Sequence, residues 1–80
     1  MVKPEDIKHW IEAGLRESRA EVSGDGHHFE ARIVSPAFEG LNSVRRHQLV
    51  YQALGDKMRE AIHALSMQTL TPMEASATKR

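Results

Sequence analysis

The first part of the chain has a helical pattern of apolar positions. Apolar side chains recur at steps of three and four residues, at Ile7, Trp10, Ile11 and Leu15. This spacing predicts an amphipathic helix that buries one stripe of side chains. Pro4 suits the first helical position, and Glu5 and Asp6 suit the positive end of a helix. We therefore predict a helix that begins at Pro4 and ends near Ser18.

The next part of the chain shows the alternation that is typical of strands. Residues 20–23 are a short strand candidate, and the Gly-Asp-Gly sequence at 24–26 is a turn signal because glycine tolerates positive φ. Residues 28–34 alternate between two faces. The members of their apolar face are Phe29, Ala31 and Ile33. Because proline cannot continue a central ladder, Pro36 ends the segment, and the pattern predicts a β-hairpin with one buried face.

Helical spacing returns after the hairpin. Ser43 is a suitable N-cap for a second helix. The apolar positions of this helix are Val44, Leu49, Val50, Ala53 and Leu54. A Gly-Asp pair at 55–56 interrupts it, and residues 57–61 have the pattern of a further short helix.

The last part of the chain predicts a third strand. Residues 63–70 alternate again, and Thr71 followed by Pro72 is typical of another helix start. Residues 76–80 have few apolar side chains, so we expect a flexible C-terminal tail after a single domain of residues 1–75.

The order of the elements predicts the fold class. Residues 29–70 contain helices between two strands, and this length suits a parallel crossover. We predict an α+β fold with a three-stranded mixed sheet and helices on one face. Because parallel strands begin at the same edge of a sheet, this topology brings His63 near His27 and His28.

Composition limits the classes of function. The 80 residues carry 11 basic and 11 acidic side chains, so the net charge is zero, which argues against a protein that mainly follows nucleic-acid phosphates. The chain has no cysteine and therefore supplies neither disulfides nor thiolate ligands. We expect no signal peptide, because Glu5 and Asp6 lie where one needs an apolar run, and no apolar stretch approaches the roughly 20 residues that span a bilayer. We expect a cytoplasmic protein without a membrane partner, either a monomer or a weak homodimer.

Histidine is the main candidate for chemistry. Neutral imidazole is a good iron ligand, and His63, His27 and His28 meet at one edge of the predicted sheet. The alternative for each is a solvated polar residue, and adjacent His27 and His28 cannot both point the same way in an extended strand. No nucleophile elbow and no Walker-type phosphate loop are present, so we do not expect an enzyme. Glu5, Asp6 and Glu12 are interpreted as helix-surface acids.

Several distinctive motifs follow one another along the chain. They are Val-Ser-Gly-Asp-Gly-His-His-Phe at 22–29, Ile-Val-Ser at 33–35, Phe-Glu-Gly at 38–40, Arg-His-Gln-Leu-Val-Tyr at 46–51, Ile-His-Ala-Leu-Ser at 62–66 and Thr-Pro at 71–72. In this order, they resemble the BolA-like family. The resemblance covers almost the whole chain. Its Gly-Asp-Gly stretch resembles in particular the short bacterial type called IbaG.

The resemblance implies a class II KH-like fold and a partner. In this family a monothiol glutaredoxin and a BolA-like protein share a bridging [2Fe–2S] cluster, with thiolates from the glutaredoxin and from glutathione. The isolated chain is then expected to contain no cofactor. The family's histidine ligand at the start of the last strand matches His63. Members with a loop cysteine carry it at the position of Asp25, so the second ligand here is His28 or, as the alternative, His27.

The function implied by the family is a non-enzymatic adaptor in iron–sulfur cluster trafficking or iron homeostasis. The alternative is a KH-like, DNA-binding transcriptional regulator related to stress or morphology. For this alternative, Arg45, Arg46 and His47 form a basic cluster that serves as a partner or nucleic-acid surface, and His47 is given a structural or interface role. A KH clamp needs a Gly-x-x-Gly loop, whereas this chain has only Gly40 at that place.

Overall fold

The computed structural model describes residues 2–58 and 64–78, apart from the side chains of residues 58 and 78. The helices and strands follow in the order α1 (Pro4–Gly14), β1 (Arg19–Gly24), β2 (Phe29–Val34), α2 (Ser43–Leu54), β3 (Leu65–Leu70) and α3 (Pro72–Thr78). Short 3-10 helices occupy Pro36–Phe38 and Gly55–Met58. No helix in the described ranges is both long and apolar enough to cross a membrane.

The three strands form one mixed sheet in the order β1-β2-β3. Strands β1 and β2 pair antiparallel, with Gly24 opposite Phe29 at the hairpin end. Strands β2 and β3 pair parallel, and Phe29 lies opposite Leu65, so both strands begin at that same end. The predicted α+β class, mixed sheet and parallel crossover are therefore confirmed.

One face of the sheet carries the core. Buried side chains from α1, α2, all three strands and two connecting segments form a single cluster. Its members are Ile7, Ile11, Leu15, Ala20, Phe29, Ala31, Ile33, Phe38, Val50, Leu54 and Leu65. The predicted alternation is confirmed, because Phe29, Ala31 and Ile33 are buried whereas Glu30 between them is exposed.

Helix α1 also protects the edge strand β1. The backbone N–H of Ala20 donates to Glu12 Oε2 at 2.9 Å, and Lys8 Nζ donates to the carbonyl of Ala20 at 3.1 Å. Glu12 therefore binds the edge of the sheet and is more than a helix-surface acid. The hydrogen bond from Lys8, followed by that from the Ala20 backbone, lowers the pKa of Glu12.

Several predicted boundaries are corrected. Helix α1 ends at Gly14 and not near Ser18, because Leu15 is already extended and Glu17 has a left-handed φ of 49°. The N-cap of α2 is Asn42 and not Ser43, since the Asn42 side chain accepts the Arg45 N–H at 2.9 Å.

The remaining differences concern the later segments. The short helix predicted at 57–61 begins earlier, as the 3-10 turn Gly55–Met58, and residues 59–61 lie outside the described residues. Strand β3 begins at Leu65. Helix α3 extends to Thr78 and so includes three residues of the predicted flexible tail, while residues 79 and 80 are outside the described part.

Gly14 on α1 lies close to Ala53 on α2. A Cβ built at this position would lie 3.0 Å from both Cα and Cβ of Ala53. We expect Gly14→Ala to destabilise the protein by about 1 kcal/mol, because an overpacking penalty of about 1–3 kcal/mol exceeds a helix-propensity gain of at most about 1 kcal/mol. Urea unfolding measures the change, with Ala13→Gly as the control for propensity on the same helix. A stabilised Gly14→Ala variant would contradict the expected close contact.

Candidate functional site

The loop between β1 and β2 closes on the carboxylate of Asp25. Oδ1 of Asp25 accepts the backbone N–H of His27 at 2.8 Å and that of His28 at 2.9 Å. The N–H of Asp25 donates to the carbonyl of His28 at 3.2 Å, and Gly26 takes a φ of 94°. The backbone bonds from His28 and then His27 lower the pKa of Asp25, so the turn forms with an ionised carboxylate.

The base of the same loop requires glycine at position 24. A Cβ there would lie 2.4 Å from the carbonyl oxygen of His28 and 2.7 Å from Cδ1 of Phe29. Such distances are far below van der Waals contact, so any larger residue would force the two strands apart. Phe29 itself is only 1% exposed and attaches the loop to the core. The loop is thus anchored at its base by close packing and closed at its tip by hydrogen bonds.

Both loop histidines are exposed at the hairpin end of the sheet. His27 and His28 precede the buried Phe29, which is opposite Leu65 in the parallel register. Ala64, the residue before β3, is therefore at the end of the sheet that carries the loop. His63 lies outside the described residues, so its ligand role stays a prediction.

A complete metal site is not present in the described part of the chain. Within residues 2–58 and 64–78, no group of three or more His, Cys, Asp or Glu side chains is placed to hold a metal ion. The chemistry available at the hairpin end is that of exposed imidazole nitrogens, which are donors for iron when they are neutral. Thiolates for any cluster would come from another molecule, since the chain contains no cysteine.

In the basic cluster of Arg45, Arg46 and His47, Arg45 is exposed, whereas Arg46 makes internal hydrogen bonds. Arg46 donates from Nε to the carbonyl of Leu41 at 2.8 Å and from Nη1 to that of Thr69 at 3.1 Å. Its guanidinium also binds Glu74 at 2.8 and 3.3 Å and lies 5.9 Å from the centre of the Phe38 ring. The Arg46 side chain is 14% exposed, so it is committed to internal contacts.

The neighbours of Arg46 remain available on α2. Arg45 is exposed, and His47 is half-buried. The sequence predicts one surface from Arg45, Arg46 and His47, whereas the structure ties Arg46 into the fold and leaves Arg45 facing solvent. Thr69 and Glu74 follow Arg46 in the chain by 23 and 28 positions, so no local sequence signal predicts that they bind it.

Glu74 joins α3 to the rest of the protein. The N–H of Thr71 donates to Glu74 Oε1 at 2.9 Å, and the N–H of Glu74 donates to Thr71 Oγ1 at 3.1 Å, which is a capping box. Thr71 is thus confirmed as the start signal of α3. The hydrogen bond from Arg46, followed by that from the Thr71 backbone, lowers the pKa of Glu74 from 4.5 to about 2.

This ion pair predicts an acid-sensitive part of the stability. Because the folded pKa of Glu74 is below its unfolded value, the pair stabilises the protein fully above about pH 4.5 and its contribution is lost as the pH falls towards about 2. We expect Glu74→Gln to be less stable than the unmodified chain at neutral pH. The difference in urea midpoint should shrink through this acid range, although solvent screening at the half-exposed carboxylate keeps it modest. A difference that is constant with pH would contradict the assignment.

The role of Asp25 was not predicted from the sequence. In the family resemblance, this position is only the place where some relatives carry cysteine. An aspartate whose side chain can accept N–H groups two and three residues later is a local turn signal, and Gly26 beside it strengthens that signal. The Asp-Gly-His-His sequence at 25–28 therefore contains the signal that identifies Asp25 as the residue closing the loop.

Known proteins match most of the length of this chain. A family model described as "BolA-like protein" matches residues 7–74. SufE-like protein 1 of Arabidopsis thaliana is 42% identical over 71 residues, which cover 88% of this chain and 19% of that protein. The DNA-binding transcriptional regulator BolA of Haemophilus influenzae is 41% identical over 54 residues, covering 68% of this chain and 52% of that protein.

A solved structure matches over nearly the full length of both chains. A bolA protein homologue from Coxiella burnetii has a TM-score of 0.86 and 56% sequence identity, and the match covers 95% of this chain and 99% of that one. By contrast, the chain spans about half or less of the length of the curated relatives it matches. The family model and this structural match show that the chain belongs to the BolA-like protein family.

Proposed function

We propose that the protein is a non-enzymatic adaptor that binds a monothiol glutaredoxin and co-ligates a bridging [2Fe–2S] cluster, in iron–sulfur cluster trafficking or iron homeostasis. The observation that carries this proposal is the parallel register of Phe29 with Leu65. This register supports a shared site, because the exposed loop histidines and the beginning of β3 lie at one end of the sheet. His63 directly precedes Ala64 in the sequence and is the proposed first ligand.

The donor set of this chain fits half of such a site. A [2Fe–2S] cluster needs four protein-type ligands, and imidazole can replace thiolate on one iron and raise the reduction potential. The proposed ligands here are His63 and one loop histidine, His28 or His27. The cysteine-free chain leaves both thiolates to the glutaredoxin and to glutathione, so the cluster is cargo that neither protein holds alone in this form.

Reconstitution tests the proposal directly. The chain is mixed with a monothiol glutaredoxin, glutathione, iron and sulfide, and visible absorption and circular dichroism report the cluster. We expect a coloured heterodimer whose spectrum differs from that of the glutaredoxin alone, and we expect His63→Ala to remove the difference. The matched control is His9→Ala, since His9 is an exposed histidine on α1.

The outcomes show which histidines are ligands and also test whether this chain co-ligates the cluster. Loss of the heterodimer spectrum in His63→Ala and in one loop variant, His28→Ala or His27→Ala, would support co-ligation. A spectrum and a cluster lifetime that stay the same in His63→Ala and in both loop variants would overturn it. The His9→Ala control must behave as the unmodified chain for either conclusion to hold.

A second candidate function is DNA binding. One relative is named a DNA-binding transcriptional regulator, and α2 (Ser43–Leu54) contains no acidic residue while Arg45 is exposed on it. This function predicts salt-dependent retardation of DNA that weakens in Arg45→Ala. Arg46→Ala is not an informative test, because it also removes internal contacts. The absence of retardation of any DNA at low salt would exclude this candidate.

A further inference from the structure

We propose that Asp25 is the positioning residue of the candidate site, because its carboxylate fixes the backbone of the loop so that His28 is presented to the shared cluster. This inference rests on the proposed function for the cluster, while the turn itself is a property of the free chain. Asp25 is not proposed as a ligand. It acts through the histidine whose backbone it binds.

The hydrogen bonds distinguish His28 from His27. Both backbone groups of His28 bond to Asp25, its N–H to Oδ1 at 2.9 Å and its carbonyl to the Asp25 N–H at 3.2 Å. Among the described residues, His27 is held to Asp25 by its N–H alone, which donates to Oδ1 at 2.8 Å. A ligand must be held near one geometry to bind a metal well. His28, whose N–H and carbonyl are both bound, is therefore better placed as a ligand than His27.

The rest of the loop explains why a carboxylate is needed at this position. Glycine has the largest conformational freedom of any residue type, and Gly26 at the tip of the loop takes a φ of 94°. Without a side chain that accepts the backbone N–H groups, the tip would therefore sample many conformations. The base is already rigid, because Gly24 packs against the carbonyl of His28 and against Phe29. The carboxylate of Asp25 therefore closes the part of the loop that packing leaves free.

The experiment compares Asp25→Ala with the conservative Asp25→Asn, which keeps a side-chain oxygen that accepts hydrogen bonds. Glu30→Ala is the matched control, since it removes one exposed acidic charge near the start of β2. Two quantities are measured: amide hydrogen exchange of His27 and His28 in the free chain, and the lifetime and spectrum of the cluster in the complex with a monothiol glutaredoxin. Urea midpoints confirm that each variant is folded.

We expect Asp25→Ala to speed exchange of the two amides by about three- to tenfold, as for the loss of one net hydrogen bond each. The cluster should leave the complex faster by a similar factor, and its histidine-dependent spectrum should broaden. Asp25→Asn should restore most of both properties, and Glu30→Ala should change neither. In a His28→Ala background, Asp25→Ala should have little further effect on the cluster lifetime, because Asp25 acts through His28.

Three results would overturn the inference. An unchanged cluster lifetime and spectrum in Asp25→Ala, beside a normal complex of the unmodified chain, would overturn the positioning role and leave the proposed function standing. A full further effect of Asp25→Ala in the His28→Ala background would show that Asp25 does not act through His28. If the unmodified chain forms no shared cluster, the proposed function and this inference fail together, and amide exchange still shows whether Asp25 closes the loop.

Discussion

Replacing Arg46 with alanine is expected to destabilise the protein by about 2–3 kcal/mol, the upper part of the range for hydrogen bonds to charged groups. The guanidinium binds the carbonyls of Leu41 and Thr69 and the carboxylate of Glu74. Its removal therefore breaks hydrogen bonds to the loop before α2, to β3 and to α3. For a domain of 80 residues, this loss corresponds to a fall in Tm on the order of 10 °C. Thermal and urea unfolding followed by far-UV circular dichroism measure the change.

Two variants control for charge and for shape. Arg45→Ala removes the same charge from an exposed neighbour and should change stability by less than about 0.5 kcal/mol. Arg46→Lys keeps the charge, but a lysine cannot form the planar fork that binds Glu74 with two nitrogens, so an intermediate loss is expected. If Arg46→Ala costs no more than Arg45→Ala, the internal role of Arg46 is wrong.

Replacing Phe29 with alanine is expected to cost about 3–5 kcal/mol, the usual range for a fully buried aromatic side chain. Phe29 lies in the central strand, contacts the base of the hairpin beside Gly24 and is paired with Leu65. A domain of this size has a total stability of about 4–12 kcal/mol, so the variant retains only part of its folded population at the lower end of that range. Denaturant unfolding gives the free-energy difference.

The conservative partner of this change is Phe29→Leu, which keeps an apolar side chain and should cost about 1 kcal/mol. Amide chemical shifts of His27 and His28 in this folded variant report whether the loop keeps its turn when its anchor is smaller. Equal losses in the alanine and leucine variants would show that volume at this position does not determine stability, contrary to the burial of Phe29.

Much of the fold could be predicted because it depends on local patterns. The alternation of Phe29, Ala31 and Ile33 identifies a strand and its buried face without knowledge of its partners. The length of chain between β2 and β3 requires a crossover, and that crossover brings the hairpin loop and the start of β3 together. The hairpin end of the site therefore follows from pattern and topology, while the closer likeness to the IbaG type stays a prediction from motifs.

The rest could not be predicted because it depends on contacts between distant residues. The apolar spacing runs on to Leu15 and does not show that α1 ends at Gly14, where a Cβ would lie 3.0 Å from Ala53 on α2. Asn42 and Ser43 are both good N-caps, and only the geometry of the preceding loop selects Asn42. The sequence around Arg46 is typical of an exposed arginine, because its partners Thr69 and Glu74 come much later in the chain, after the crossover to β3.

The side chains on the two edge strands have a consequence for how this small sheet meets other sheets. Lys8 and Glu12 occupy the outward backbone groups of Ala20 on β1, and Arg46 occupies the outward carbonyl of Thr69 on β3. An incoming strand would have to displace charged side chains at both margins, which is how natural sheets resist edge-to-edge aggregation. Pairing between the sheets of two copies is therefore disfavoured at the end of the sheet away from the hairpin. The hairpin end of the sheet remains accessible to another protein.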